Sequence, residues 1–200
     1  MRSLWRVLAA SLVLVCSAAS AAGSASPALV QLVDPQIQVD AMDAATVWFD
    51  PQGTATIERV AQGSAGALFV RGQSDRIHSL GEQGQLWIHW RLSRARGVAN
   101  GWVMTFPMPA LDAVTLYQQN ERGQWVGQTA GDTIAVANWA EPGRYPHFRL
   151  DLPSGQVRDV YARIRHFTPA NFPVQILAES AFEEHIQLEY LGLGTSFGAL

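Results

Sequence analysis

LDAVTLYQQNERGQWVGQTAGD, residues 111–132, reads as a strand, a tight turn and a second strand. Val114 and Leu116 alternate with Thr115 and Tyr117, the two-residue period of a half-buried strand. Asn120-Glu121-Arg122-Gly123 is a short polar loop ending in glycine, where a hairpin bulge uses a positive φ. Apolar content resumes at Trp125 and Val126, and Gly131-Asp132 marks the exit.

The same alternation recurs on both sides. Gly23–Gln38, with Pro27 and Pro35, is a loose leader or a first edge strand. Val47-Trp48-Phe49 is a short strand, Asp50–Gly53 a turn and Thr54–Val60 a second strand. Ala61–Gly84, rich in Gly, Ser and Gln around Leu68-Phe69-Val70, reads as a long loop. Along Gln85–Ser93, Leu86, Ile88, Trp90 and Leu92 share one face, while Trp87, His89 and Arg91 share the other. Gly101–Phe106 is a strand that Pro107–Pro109 ends. Downstream of the hairpin, Ile134–Tyr145 is a loop. His147–Leu152 and Val157–His166 are strands around Pro153-Ser154-Gly155, and Pro173–Ala178 is the last. In the second of these, Val160, Ala162 and Ile164 alternate with Tyr161, Arg163 and Arg165. About eight to ten short strands at this spacing predict an all-β chain, an antiparallel sandwich or jelly roll. Trp48, Trp90, Trp102 and Trp125 are expected in core packing.

The ends of the 200-residue chain carry its address. Within Met1–Ala22, Arg2 and Arg6 precede an apolar run, Val7–Val15, and a small-residue run, Ser17–Ala22. This is the pattern of a secretory signal peptide, with Ala19-Ser20-Ala21 as cleavage site. The apolar run is too short for an uncleaved anchor, which needs about 20 residues. Cys16, the one cysteine, falls in this segment, and Val15 before it suits a lipoprotein signal poorly. The exported chain therefore folds without disulfides, as in a bacterial periplasm. Every basic residue is Arg. Taking Arg2 and Arg6 from the 14 basic residues leaves 12 against 17 acidic, a balance of −5. A phosphate-tracking surface needs net positive charge, so nucleic acid is not expected as a partner.

At Ser180 the character changes. Ser180-Ala181-Phe182-Glu183 fits a capping box opening a helix, and from Tyr190 to Leu200 no charge occurs. That run is too short to span a bilayer. A border Tyr and Gly194-x-x-x-Gly198 make it look like the first half of a membrane helix cut off at Leu200. The other reading is a helix docked on the sandwich. The predicted organisation is a signal peptide (1–22), a leader (23–42), a jelly-roll domain (43–178) and a helix entering a truncated first transmembrane segment (179–200).

From about Asp43 onward the chain resembles the periplasmic domain, extracellular type 2, of bacterial seven-transmembrane receptors with diverse intracellular signalling modules (7TM-DISM). Asp50-Pro51-x-Gly53 with Ile57 and Val60 looks like the first hairpin of that family. Trp87-Ile88-His89-Trp90-Arg91-Leu92 is similar to its Trp-Leu-Arg-Phe-Arg-Leu strand, with His89 where Arg is usual. Pro109 to Tyr117 resembles its Pro-x-Leu-Asp-x-Val-x-Leu-Tyr segment, and Gly131-Asp132 the Gly-Asp after it. Tyr161-x-Arg163-Ile164, Phe172-Pro173-Val174-x-Ile176 and Ser180-Ala181-Phe182 complete the order. One departure is Trp139–Arg144, where the family often carries Arg-Pro. The resemblance implies a jelly roll similar to carbohydrate-binding modules. It implies a sensor for a small ligand, a sugar among the candidates, at the periplasmic face of the inner membrane, which the C-terminal helix would enter. Such receptors continue to a cytoplasmic output, commonly a diguanylate cyclase or histidine kinase. None of that lies in these residues, so no catalytic residue and no cofactor is expected. The second functional reading is a free secreted carbohydrate-binding module.

Two rows of side chains are the candidate ligand site: Trp87, His89, Arg91 on one strand and Tyr161, Arg163, Arg165 on another. Rings stack on the apolar face of a pyranose, and guanidinium forks to hydroxyls or a carboxylate. The competing reading keeps the arginines as a solvated outer face. Trp139 and Tyr145, in the Gly/Pro-rich loop, either line a ligand mouth or fold back on the core. Gly194-Thr195-Ser196-Phe197-Gly198 formally fits G-x-S-x-G, but no acid or His follows it, so it is a chance match. His185 and Glu189 stand at helical spacing without a third ligand, and no metal is expected.

Overall fold

A computed structural model of the chain describes residues 25–63, 68–98 and 101–198, with side chains of the last helix described as far as residue 188. The segment expected to be a signal peptide, Cys16 and the side chains of Glu189 and the uncharged run lie outside the described residues. Eleven strands are described: β1 (Leu29–Leu32), β2 (Gln38–Asp40), β3 (Thr46–Asp50), β4 (Val70–Arg71), β5 (Gln85–Arg94), β6 (Trp102–Thr105), β7 (Ala113–Gln119), β8 (Trp125–Ala130), β9 (His147–Leu150), β10 (Val157–Arg165) and β11 (Gln175–Ala178). Two α-helices, α1 (Ile57–Ala61) and α2 (Glu179–Gly198), and a 3-10 turn at Val136–Asn138 accompany them. The larger sheet runs β4-β3-β5-β10-β7-β8, with β1 also paired to β5, and the smaller runs β2-β11-β6-β9. From β5 onward the chain passes between sheets at nearly every step, the habit of a jelly roll. β1 departs from the antiparallel expectation and pairs parallel with β5, Leu29 opposite Arg91. Its Val30 and Leu32 enter the core.

The alternation read along each strand is the boundary between core and outer face. Leu86, Ile88, Trp90 and Leu92 of β5, with Val114, Leu116, Val160, Ala162 and Ile164, meet Trp102, Met104, Phe148 and Ile176 of the smaller sheet. Each Val, Leu, Ile, Met or Phe side chain among them contributes roughly 1.5–3 kcal/mol by leaving water. The hairpin pairs from Val114–Ala130 to Gln119–Trp125. Asn120 Oδ1 accepts from the backbone N–H of Arg122 and Gln124, both at 3.0 Å, to hold its turn. Its two ends lock together. Asp132 N–H donates to Leu111 O at 2.7 Å and Thr133 N–H to Asp112 O at 3.0 Å. Asp112 Oδ2 in turn accepts from Phe167 N–H at 2.8 Å, and Oδ1 lies 3.2 Å from His166 Nδ1. The Leu-Asp entry and Gly-Asp exit are therefore one unit, joining β7, β8 and the end of β10.

Thr54–Val60 does not form the expected strand. The buried Asp50 carboxylate accepts from Ala55 N–H at 2.8 Å and Gln52 N–H at 3.2 Å, turning the chain back over the larger sheet. Ile57 and Val60, three apart, then bury one side of α1 against Trp87 and Tyr161. Residues 55 and 57 fit a strand and 57 and 60 a helix, and the apolar seat on the sheet selects the helix. At the far end, α2 leaves β11 directly at Glu179, so Ser180 lies inside the first turn and does not precede it as a cap. Glu179 N–H donates to Gly101 O at 2.8 Å. Phe182 and Ile186 seat on Val103 and Leu177, the outer face of the smaller sheet. Ser196 lies within α2, without the strand a hydrolase elbow requires. Among the described residues no helix is long and apolar enough to cross a membrane.

Candidate functional site

The outer face of the larger sheet, away from the core, carries an aromatic and cationic layer. Two rungs of paired residues cross it. Trp48, Trp87, Arg163, Thr115 and Thr129 form one, and Thr46, His89, Tyr161, Tyr117 and Gly127 the next. Antiparallel pairing thus brings the two predicted rows together side by side. The Trp87 and Tyr117 rings stack with centroids 5.6 Å apart, and the Arg163 guanidinium lies 5.9 Å from the first and 5.7 Å from the second. His89 and Tyr161 stack at 4.2 Å, and Trp125 meets Tyr161 edge-on. Gly127 makes this possible: a Cβ there would stand 2.8 Å from Tyr117 Cε1, under the ring. Arg165 and Arg91 extend the face into solvent.

Burial divides these residues. Trp87 is 0% exposed and Tyr161 5%, because α1 covers them with Ile57 and Val60, and Phe69 packs beside. They are the floor of the layer, not an open platform. Trp48, Trp125 and Tyr117, at its margins, stay half-buried. Trp48 and Trp125 are thus not in the main core expected for them, unlike Trp90 and Trp102. Trp139 and Tyr145 are elsewhere. Trp139 packs into the main core with its Nε1 donating to Ile134 O at 3.0 Å. Tyr145 is buried just ahead of β9, where its carbonyl accepts from His147 Nδ1 at 3.1 Å. Trp139 takes the covering role.

Clefts open on either flank of α1. One, of about 280 Å³, is lined by Trp48, Asp50, Gln52, Thr54, Ala55 and Arg59. The other, of about 150 Å³, is lined by Ser26, Val60, Ala61, Phe69, His89 and Tyr161. A depression of about 330 Å³ at the β3–β4 edge also touches Trp48, but Phe49, Leu68 and Val70 make it mainly apolar. The first cleft combines a half-exposed indole with amide, hydroxyl and guanidinium groups, close to the size range of small-molecule sites. Trp48 and Gln52 escape a reading by strand alone. Only the pairing of Trp48 with Trp87 shows which face it shares.

Charge on this face is tied to burial. Burial pushes the Tyr161 phenol up to about 12, and the neighbouring Asp159 charge adds to the effect. Asp159 itself is held below the usual carboxylate range, chiefly by its hydrogen bond with His89, Nε2 to Oδ1 at 2.7 Å. A depressed carboxyl contributes stability above its unfolded pKa of about 4 and loses it as pH falls through the folded value. Asp159→Asn is therefore expected to lower stability by a small amount above about pH 5. The gap should close on acidification below about pH 4. Urea midpoints of both proteins across this range check it; a gap that widens in acid would refute the assignment. Among the described residues no three His, Asp or Glu side chains gather as a metal site.

The family model that matches the chain is described as 7TMR-DISM extracellular 2, and it covers residues 42–178. No curated protein matches the chain. Among solved structures, one is similar over 70% of this chain and 54% of its own, at 14% identity and a TM-score of 0.27. It is described as the structural basis for the promiscuous specificity of carbohydrate-binding modules from the beta-sandwich super family. The match spans about half the length of that chain.

Proposed function

Residues 42–178 place this chain in the 7TMR-DISM extracellular 2 family, the sensor domain of a membrane receptor, and from that premise we propose that it reports a small carbohydrate to the helix that follows it. The domain would work at the periplasmic face of the bacterial inner membrane, with α2 leading toward the bilayer. The observation that carries this reading is the Trp48 cleft beside α1. An indole face suits the apolar face of a pyranose, and Gln52, Thr54 and Arg59 at its walls suit sugar hydroxyls.

A path from the sandwich to α2 supports the signalling half. α2 continues β11 without a linker. Arg149 of β9 pairs with Glu179 in the first turn of α2 and, through Nε at 2.6 Å, with Glu141 of the preceding loop. The Phe182 ring lies 4.8 Å from that of His147. Movement of the smaller sheet would thus reach the helix directly, provided ligand favours one arrangement over the other. A free secreted binding module would use the same cleft; membership of residues 42–178 in a receptor family favours the receptor.

Isothermal calorimetry tests the cleft, with glucose, galactose, N-acetylglucosamine, galacturonic acid and their oligosaccharides as probes. Trp48→Ala is expected to weaken binding about tenfold, the loss of one stacked ring, with the circular dichroism spectrum unchanged. Equal affinity in the two proteins, or no binding to any of these sugars, rejects the reading.

A further inference from the structure

α1 divides a floor that is continuous beneath it. Ala55 and Arg59 wall the larger flanking cleft, and Val60 and Ala61 wall the smaller. Under the helix, Trp48 pairs with Trp87 and His89 with Tyr161 across three adjacent strands. Without α1 the two clefts would be one groove. Two polar groups on this face go unanswered. Trp87 Nε1 and Thr46 Oγ1 are buried with no hydrogen-bond partner among the described residues. Both residues are at most 1% exposed. A buried N–H without an acceptor is destabilising and calls for an explanation. The apolar Ile57 and Val60 that α1 presents satisfy neither group. α1 is also short: it has five residues, and the Thr56 side chain caps no backbone N–H at its start.

We propose that α1 is a displaceable plug in a second sugar subsite, so that the favoured ligand is an oligosaccharide and not a single sugar. One ring occupies the Trp48 cleft. The next ring displaces Ile57 and Val60 and lies on Trp87 and Tyr117. Its oxygens take the unpartnered Trp87 Nε1–H and Thr46 hydroxyl and the Arg163 guanidinium, groups that favour an acceptor-rich ligand. This rests on the carbohydrate reading of the Trp48 cleft and adds the ligand's length and the moving part. A plug that must leave reduces apparent affinity by the fraction of molecules already open. Weakening the plug therefore tightens binding, whereas weakening an ordinary wall loosens it.

The test uses the full chain, Val60→Ser and Ile57→Ser, with the same monosaccharides and oligosaccharides. Val60→Ser and Ile57→Ser are expected to bind oligosaccharide about tenfold more tightly than the parent chain, without any gain in monosaccharide affinity, because α1 also carries Arg59 of the Trp48 cleft. Hydrogen exchange on the parent chain gives a second readout that needs no variant. The amides of Val60 and Gln62, bonded to Thr56 O and Glu58 O, should lose protection when oligosaccharide is added. Equal or weaker oligosaccharide binding by both variants, or increased protection of α1, overturns the plug. If Trp48→Ala abolishes binding while α1 responds to nothing, the plug falls and the cleft stands. If neither the parent nor the variants bind any sugar, both fall.

Discussion

Gly131→Ala is expected to destabilise the domain by roughly 3 kcal/mol. Gly131 has φ 144°, a conformation that side chains rarely adopt. A Cβ there would stand 2.4 Å from Asp112 O and 2.6 Å from Ala113 Cα. Both are backbone atoms. They are held in place by the bonds from Asp132 N–H to Leu111 O and from Thr133 N–H to Asp112 O, so relief requires breaking the base of the hairpin. Gly127→Ala is the control, because its new Cβ would meet the Tyr117 side chain, which can shift at a cost of about 1 kcal/mol. Chemical denaturation of the two variants checks the difference. A loss below about 1 kcal/mol in Gly131→Ala would show that the hairpin base yields.

Trp90→Ala should be at least as damaging, at about 4 kcal/mol. The Trp90 side chain is fully buried in the main core, so truncation leaves a cavity between the sheets. It also leaves the Ala41 carbonyl, which accepts from Trp90 Nε1 at 2.8 Å, without that donor. Trp90→Phe separates the two contributions: it restores most of the volume and loses only the hydrogen bond, about 1–2 kcal/mol. Thermal unfolding of the three proteins should rank them in that order. Equal destabilisation by Phe and Ala would mean that the bond to Ala41, and not the packing, dominates.

Trp87→Ala belongs with these core substitutions and not with probes of binding. Its ring has no exposed surface, so truncation would damage α1 and the layer beneath it before any ligand is added. Strand alternation places Trp87, His89, Tyr161 and Arg163 on one kind of face, and pairing does put them on the same face. Alternation is local and says which side of its strand a residue occupies. It says nothing of what a distant segment lays across that side. Ile57 and Val60, some 30 residues before Trp87, provide that cover. Their helical form depends on the Asp50 carboxylate and on the seat itself, neither of which a local pattern contains. The same limit applies to Trp139, whose place was decided by the bond to Ile134 O and by space in the core.

The hairpin of residues 111–132 shows where the division falls. Its strands, turn and buried face follow from residue order alone, because alternation and turn chemistry act over a few residues. So do the sandwich class and the family register carried by Leu111-Asp112 and Gly131-Asp132. That these two dipeptides grip one another, and that Asp112 also holds Phe167, needs the closed fold. So do the parallel placement of β1, the helix in place of a strand at Ile57–Ala61, and the clefts on either side of it. Each depends on surfaces that exist only after residues far apart in the chain have packed together.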